Sequence, residues 1–152
     1  RHEMASVGKQ FGGVYGGVDH PLANAAWIDA EAMRRFGVAT ITISPALMDG
    51  VAALYGFSGA ADFPLVVECD DIDTLVHLAM RTDVLALLPV TIGDAHPETL
   101  HRMPAASSQA PFADVHAIWL KGRTLSPSAQ RAIGLAQQLG TGASGPAADS
   151  AG

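Results

Sequence analysis

Three aspartates, Asp70, Asp71 and Asp73, lie almost side by side, and His96 and His101 stand five apart with Glu98 between them. Carboxylates that close could share a proton or hold a cation, and a His–Glu group could serve as a general base or a metal site. Each has a plainer reading. Asp70 can cap a following helix, and Asp73 puts negative charge into its first turn, where the helix dipole favours it. His77 falls on the polar side of the same helix and reads as solvated. No H-E-x-x-H stretch is present, and the single cysteine, Cys69, excludes a thiolate zinc site. The chain has no P-loop and no G-x-S-x-G outside or inside its tail, and GGVYGG (12–17) lacks the G-x-G-x-x-G order. These residues make no catalytic constellation, so the expectation is a protein that is not an enzyme and carries no cofactor or metal.

The elements that would position these residues follow from patterning. A length of 152 residues fits about one domain. With 49% apolar residues, the chain can build a real core. The formal charge of −6 argues against nucleic-acid binding by these residues, because an acidic chain releases no counterions from a phosphate backbone. One cysteine points to a reducing compartment and hence to the cytoplasm. No apolar run has the roughly 18 residues of a membrane span, so no membrane partner is expected. The start lacks the charged and apolar regions of a signal peptide.

Residues 1–18 are Gly-rich and weakly patterned, with room for one short strand near Gly13–Val18. Asp19–Leu22 reads as a turn. Asp29 suits an N-cap for the helix AEAMRRF, and Gly37 is placed to stop it. VATITI (38–43), PLVVE (64–68) and VLALLP (84–89) are apolar on both parities, as strands buried on both faces are. Helices over about 46–55 and from Asp70 onward separate them. Leu47, Val51 and Leu54 recur at helical spacing in the first, and Ile72, Leu75, Val76 and Ala79 line one face of the second. The alternation predicts an α/β fold with a parallel sheet and right-handed crossovers. Further on, 98–103 reads as a strand, SSQAP (107–111) as a loop and DVHAIWL (114–120) as a strand. Ser126–Pro127 starts a last helix with Ala129, Ile133 and Ala136 inward. The tail 141–152 is small and polar and reads as disordered.

In open parallel α/β sheets, ligands bind beyond the carboxyl ends of the strands, beside helix N-termini that suit anions. The strand 38–43 would deliver Ser44, Pro45, Ala46 and Leu47 to such a site, and the strand 64–68 would deliver Cys69, Asp70 and Asp71. Ser44 has two readings, a ligand contact or a cap on the helix after Pro45. Asp70 and Asp71 would weaken an anion there, or select a ligand with an amine or hydroxyl.

Five segments carry a further signal in order: DHPLA (19–23), VATITIS (38–44), PLVVECDDIDTLVHLAM (64–80), TDVLALLP (82–89) and VHAIWLKGRTLSPSAQRAI (115–133). Together they resemble the effector-binding region of LysR-type transcriptional regulators over roughly residues 19–139. The chain departs from that pattern at Thr82–Asp83, where many members have Gly-x-Gly, and at Ala32–Met33, where Asp-Leu is usual. The resemblance implies a type-2 periplasmic-binding-protein-like fold of two α/β lobes. Residues 1–18 would hold a crossing strand, 19–103 lobe two with its return strand, and 104–140 the C-terminal part of lobe one. A lobe-one strand without its sheet would expose an edge, which implies a piece of a longer chain or pairing with another chain. The resemblance also places an effector at residues 44–47 in an interlobe cleft. It implies a small organic acid or aromatic metabolite as ligand, homo-oligomers, and DNA contact through an N-terminal domain absent from these residues. The competing class is a fragment of a periplasmic-type solute-binding protein, which shares the fold.

Overall fold

The computed structural model describes residues 1–105 and 110–142. The chain forms two compact units, one of residues 1–10 with 113–152 and one of Phe11–Phe112. In chain order the elements are β1 (His2–Gly17), α1 (Ala30–Phe36), β2 (Val38–Thr40), α2 (Pro45–Leu54), a 3-10 turn (Ala60–Asp62), β3 (Leu65–Glu68), α3 (Ile72–Arg81), β4 (Leu85–Pro89), α4 (Val90–Gly93), β5 (Leu100–Arg102), β6 (Ala110–Leu120) and α5 (Pro127–Gly142).

In the larger unit the sheet order is β3-β2-β4-β1-β5. β2 pairs parallel with β3 and with β4, as the alternation predicts. The parallel reading concerned β2, β3 and β4 and holds for them, while β1 pairs antiparallel with β4 and with β5. Only strands joined by a crossover helix carry a parallel signature, and β1 reaches the sheet without one. β1 also runs over sixteen residues, far beyond the short strand expected near 13–18. Its glycines and mixed side chains hide the period-2 pattern, because ladder pairing needs only backbone groups.

Every residue of β4 is buried, and its side chains divide by parity. Leu85 and Leu87 join Val14 and Val38 in a core covered by Met33, Met48, Val51, Phe57 and Phe63. Ala86 and Leu88 join Tyr15, Ala39 and Leu100 under Leu75, Val76 and Ala79 of α3. The sheet is thus covered on both faces, which explains why its central strands read as unbroken apolar runs.

Local chemistry sets the ends of the elements. Asp29 Oδ1 accepts the Ala32 N–H at 2.9 Å to start α1. Gly37 stops it at φ 75°, a left-handed value that favours glycine, and donates to the Met33 carbonyl. Arg34 forks onto both Asp62 oxygens at 3.2 and 3.0 Å. The Ser58 backbone N–H and then Arg34 hold the Asp62 carboxyl below its ordinary value.

The turn after β1 is held by His20, which is buried. Its Nδ1 accepts the Leu22 N–H at 3.0 Å. The ring proton therefore sits on Nε2, which donates to the Asp83 carbonyl at 2.8 Å. The ring also packs edge-on to Phe36 at 4.8 Å. Thr82 completes this corner by donating its hydroxyl to the Leu78 carbonyl and accepting the Val84 N–H. The Thr-Asp pair that opens β4 is the anchor between α3 and the strand.

In the smaller unit β6 pairs with β1. Trp119 Nε1 donates to Glu3 at 2.9 Å, and Gln137 Nε2 to the Ser6 carbonyl at 3.0 Å. Ser126 Oγ accepts the Ala129 N–H, and Pro127 is the first helical residue of α5, as expected. Ala129, Ile133 and Ala136 are half-buried. β6 starts at Ala110, so part of the expected loop at 107–111 is strand, while residues 107–109 lie outside the described residues. The expected disordered tail gives up residues 141–142 to α5, and 143–152 lie outside the described residues.

Two substitutions test this packing. His20→Ala removes both ring bonds and leaves the Asp83 carbonyl unpaired; a loss of about 2–3 kcal/mol in urea unfolding is expected. The buried Tyr55 hydroxyl has no hydrogen-bond partner among the described residues, and burial pushes the phenol up to about 12. Tyr55→Phe should therefore leave the urea midpoint unchanged or raise it, by up to about 1 kcal/mol; a lower midpoint would show that the hydroxyl is satisfied.

Candidate functional site

β2 and β3 end level with each other, with Thr40 paired to Glu68. Two loops leave from there, 41–44 into α2 and 69–71 into α3. The expected strand 38–43 stops at Thr40 for a specific reason. The Thr42 N–H turns away from the ladder and donates to Asp70 Oδ1 at 3.0 Å. A second bond, from Cys69 N–H to the Thr40 carbonyl at 3.0 Å, ties the same two loops.

Asp70 thus does not cap α3, contrary to the sequence expectation. Asp71 holds the N-cap position, yet its side chain makes no cap bond to the backbone. It accepts instead from the Thr74 hydroxyl at 2.6 Å, while its own N–H meets Cys69 Sγ at 3.4 Å. Two adjacent aspartates therefore do different work: Asp70 joins the loops and Asp71 orders the first turn of α3. Bonding to Thr42 holds the Asp70 carboxyl below its ordinary value.

Ser44 caps α2. Its Oγ accepts the Leu47 N–H at 3.3 Å, and Pro45 takes the first helical position, where its missing N–H costs nothing. Ser44, Pro45 and Ala46 are exposed and Leu47 is half-buried. Asp70 and Asp71 are exposed at the start of α3. The fold brings Asp70 to the loop that leads into Ser44. The residue that sequence reasoning missed is Thr42, which acts through its backbone N–H and so leaves no side-chain signature.

The charge around these loops is one-sided. Residues 36–80 hold six carboxylates and no Lys or Arg, while the rest of the chain holds nine of each sign. A carboxylate aimed at the helix starts therefore meets free N–H groups but also Asp70 and Asp71. A hydroxyl or amine meets acceptors. Among the described residues no group of three or more His, Cys, Asp or Glu could hold a metal ion. His77 is exposed on α3 and His101 is exposed on β5, away from these loops. Among the described residues no helix is long and apolar enough to cross a membrane.

A family model, the LysR substrate binding domain, matches residues 13–140, and the chain belongs to that family. No curated protein matches the chain. Among solved structures it is similar to the effector domain of the transcriptional regulator AmpR of Pseudomonas aeruginosa. That pair shares 10% identity over 92% of this chain and 65% of that one, with a TM-score of 0.68. HinK, a LysR family transcriptional regulator from the same organism, gives 11% identity, 91% and 48% coverage and a TM-score of 0.66. The effector binding domain of QuiR, solved in complex with shikimate, gives 18%, 93% and 66%, with a TM-score of 0.61. The chain thus spans about half to two thirds of the length of these proteins. Its mixed α/β fold is that of LysR effector-binding domains, which are periplasmic-binding-protein-like.

The Asp70–Thr42 bond gives a pH prediction. A carboxyl with a lowered folded pKa stabilises the fold above its unfolded value, here 3.8, and loses that contribution as pH falls through the folded one. In an NMR titration, Asp70 should show a midpoint below 3.8, and the Thr42 amide should follow with the same midpoint. Asp70→Asn should abolish that response at Thr42.

Proposed function

We propose that this chain is the effector-sensing part of a LysR-type transcriptional regulator in the cytoplasm, and that it binds a small organic acid or aromatic metabolite without turning it over. The observation that carries the reading is the family match over residues 13–140, joined to loops tied together at the carboxyl ends of β2 and β3. Open α/β sheets bind ligands at such ends. Ser44, Pro45, Ala46 and Leu47 would form one wall of the site, and Asp70 and Asp71 the other. With Ser44 Oγ engaged by Leu47, its ligand contacts run through the hydroxyl proton and the exposed face of the helix start. Asp70 and Asp71 would favour an effector with a hydroxyl or amine beside its acid or ring.

In this reading the unit Phe11–Phe112 plays lobe two, and the strand β6 with α5 belongs to lobe one. DNA contact and homo-oligomer formation belong to the full regulator, with a winged helix-turn-helix outside this chain. Support comes also from QuiR, a structural neighbour solved with shikimate, an acid rich in hydroxyls.

A thermal-shift screen of metabolites on this chain tests the reading. A stabilising ligand is expected, and the double substitution Ser44→Ala with Leu47→Asp should cut its shift to less than half. A ligand whose shift survives both changes would bind elsewhere and remove the site.

A further inference from the structure

A second concave feature lies in the larger unit, on the side of the sheet covered by α3. It is a pocket of about 340 Å³ lined by Tyr15, Asp94, Pro97, Leu100, His101 and Arg102. That volume is at the small end of the range for ligand sites. It belongs to none of the loops discussed above.

Its polar groups form a chain with a direction. Tyr15 is 1% exposed and donates its hydroxyl to Asp94 Oδ1 at 2.7 Å. Burial, and then the bond to Asp94, raise this phenol well above its ordinary value, so it remains a donor. The other oxygen of Asp94 meets Arg102 Nη2 at 3.0 Å. A buried phenol thus fixes a carboxylate, and the carboxylate fixes a guanidinium. Arg102 has no further partner among the described residues, and its side chain is 38% exposed. A guanidinium presents five N–H donors in a planar fork, and one ion-pair contact leaves most of them unused at the pocket wall.

The apolar part of the wall is equally well defined. Pro97 is the exposed apolar ring beside the cation, and Tyr15 and Leu100, both buried, close the base behind it. Gly93 lets α4 lie directly on the Tyr15 ring, since a Cβ there would sit 2.1 Å from it. A forked donor beside an exposed apolar ring matches one chemical class. The carboxylate of the ligand meets the guanidinium in two parallel bonds, and its apolar body lies against the exposed Pro97 ring.

We propose that this pocket is a second binding site, for a small carboxylic acid with a flat apolar body, with Arg102 as the recognition residue and Asp94 and Tyr15 as positioning residues. Asp94 opposes the attraction by its own charge, so the site is selective by geometry more than by net charge. His101, exposed on β5, also lines the pocket.

The test is a two-dimensional amide NMR titration of the full 152-residue chain with benzoate, and in parallel with benzamide, its neutral isostere. Benzoate should shift the amides of Gly93, Asp94, His101 and Arg102 saturably, and benzamide should bind at least about tenfold more weakly. Arg102→Gln should weaken benzoate by a similar factor in a protein whose remaining spectrum is unchanged, and Arg102→Lys should restore only part of it. Equal binding of benzoate and benzamide to the unaltered chain would overturn the proposal, and needs no variant to fold. So would an unchanged benzoate affinity in Arg102→Gln. Shifts confined to residues 42–47 and 69–72 would also overturn it, while supporting the effector site at the strand ends. Because the two sites share no residue, failure of one leaves the other standing.

Discussion

The structure of the larger unit depends on β4 being paired along both edges and covered on both faces. β2 lies parallel along Leu85–Leu87 on one side and β1 antiparallel along Ala86–Pro89 on the other, so the middle of the strand is bonded on both edges. Its leucines and alanine feed two separate cores by parity. Loss of that strand would remove the floor under α1 and α2 and the ceiling over α3 together. The Thr82–Asp83 corner and Pro89 mark its two ends, one tied by His20 and one placed where a missing N–H does no harm.

What could be read from the sequence follows from which atoms carry the information. The strands β2, β3 and β4 and the helices between them were legible because side-chain periodicity and capping residues specify them. Asp29, Ser44 and Ser126 each cap the helix that their position suggests. β1 was legible only at its end, because its glycines and mixed side chains leave backbone pairing as its main determinant. The antiparallel part of the sheet was hidden for the same reason. At the site, the residue numbers were legible but their roles were not. Asp70 and Asp71 are one position apart, and only the third dimension shows that one reaches Thr42 and the other Thr74.

The Tyr15–Asp94–Arg102 chain was invisible in the sequence for a related reason. Its members come from β1, from the turn after α4 and from β5, across 88 residues of chain. Tyr15 sits within a run of glycines that reads as featureless. The glycine that lets the ring and the neighbouring turn approach each other is Gly93, far away in the chain. At 10–20% identity to its structural relatives, the chain shares their fold.

The segregation of charge has a consequence for motion in solution. Residues 36–80 sum to −6, and with Asp62 held by Arg34 the exposed Asp70 and Asp71 set a local negative field at the loops at the ends of β2 and β3. Under physiological salt that field reaches only about 8 Å. It therefore does not select molecules at a distance, but acts in the last few solvent layers before contact. A positively charged solute is drawn in over that stretch and an anion is slowed, so the loops filter by arrival rate before any hydrogen bond forms. Raising or lowering salt changes that filter without moving an atom of the fold.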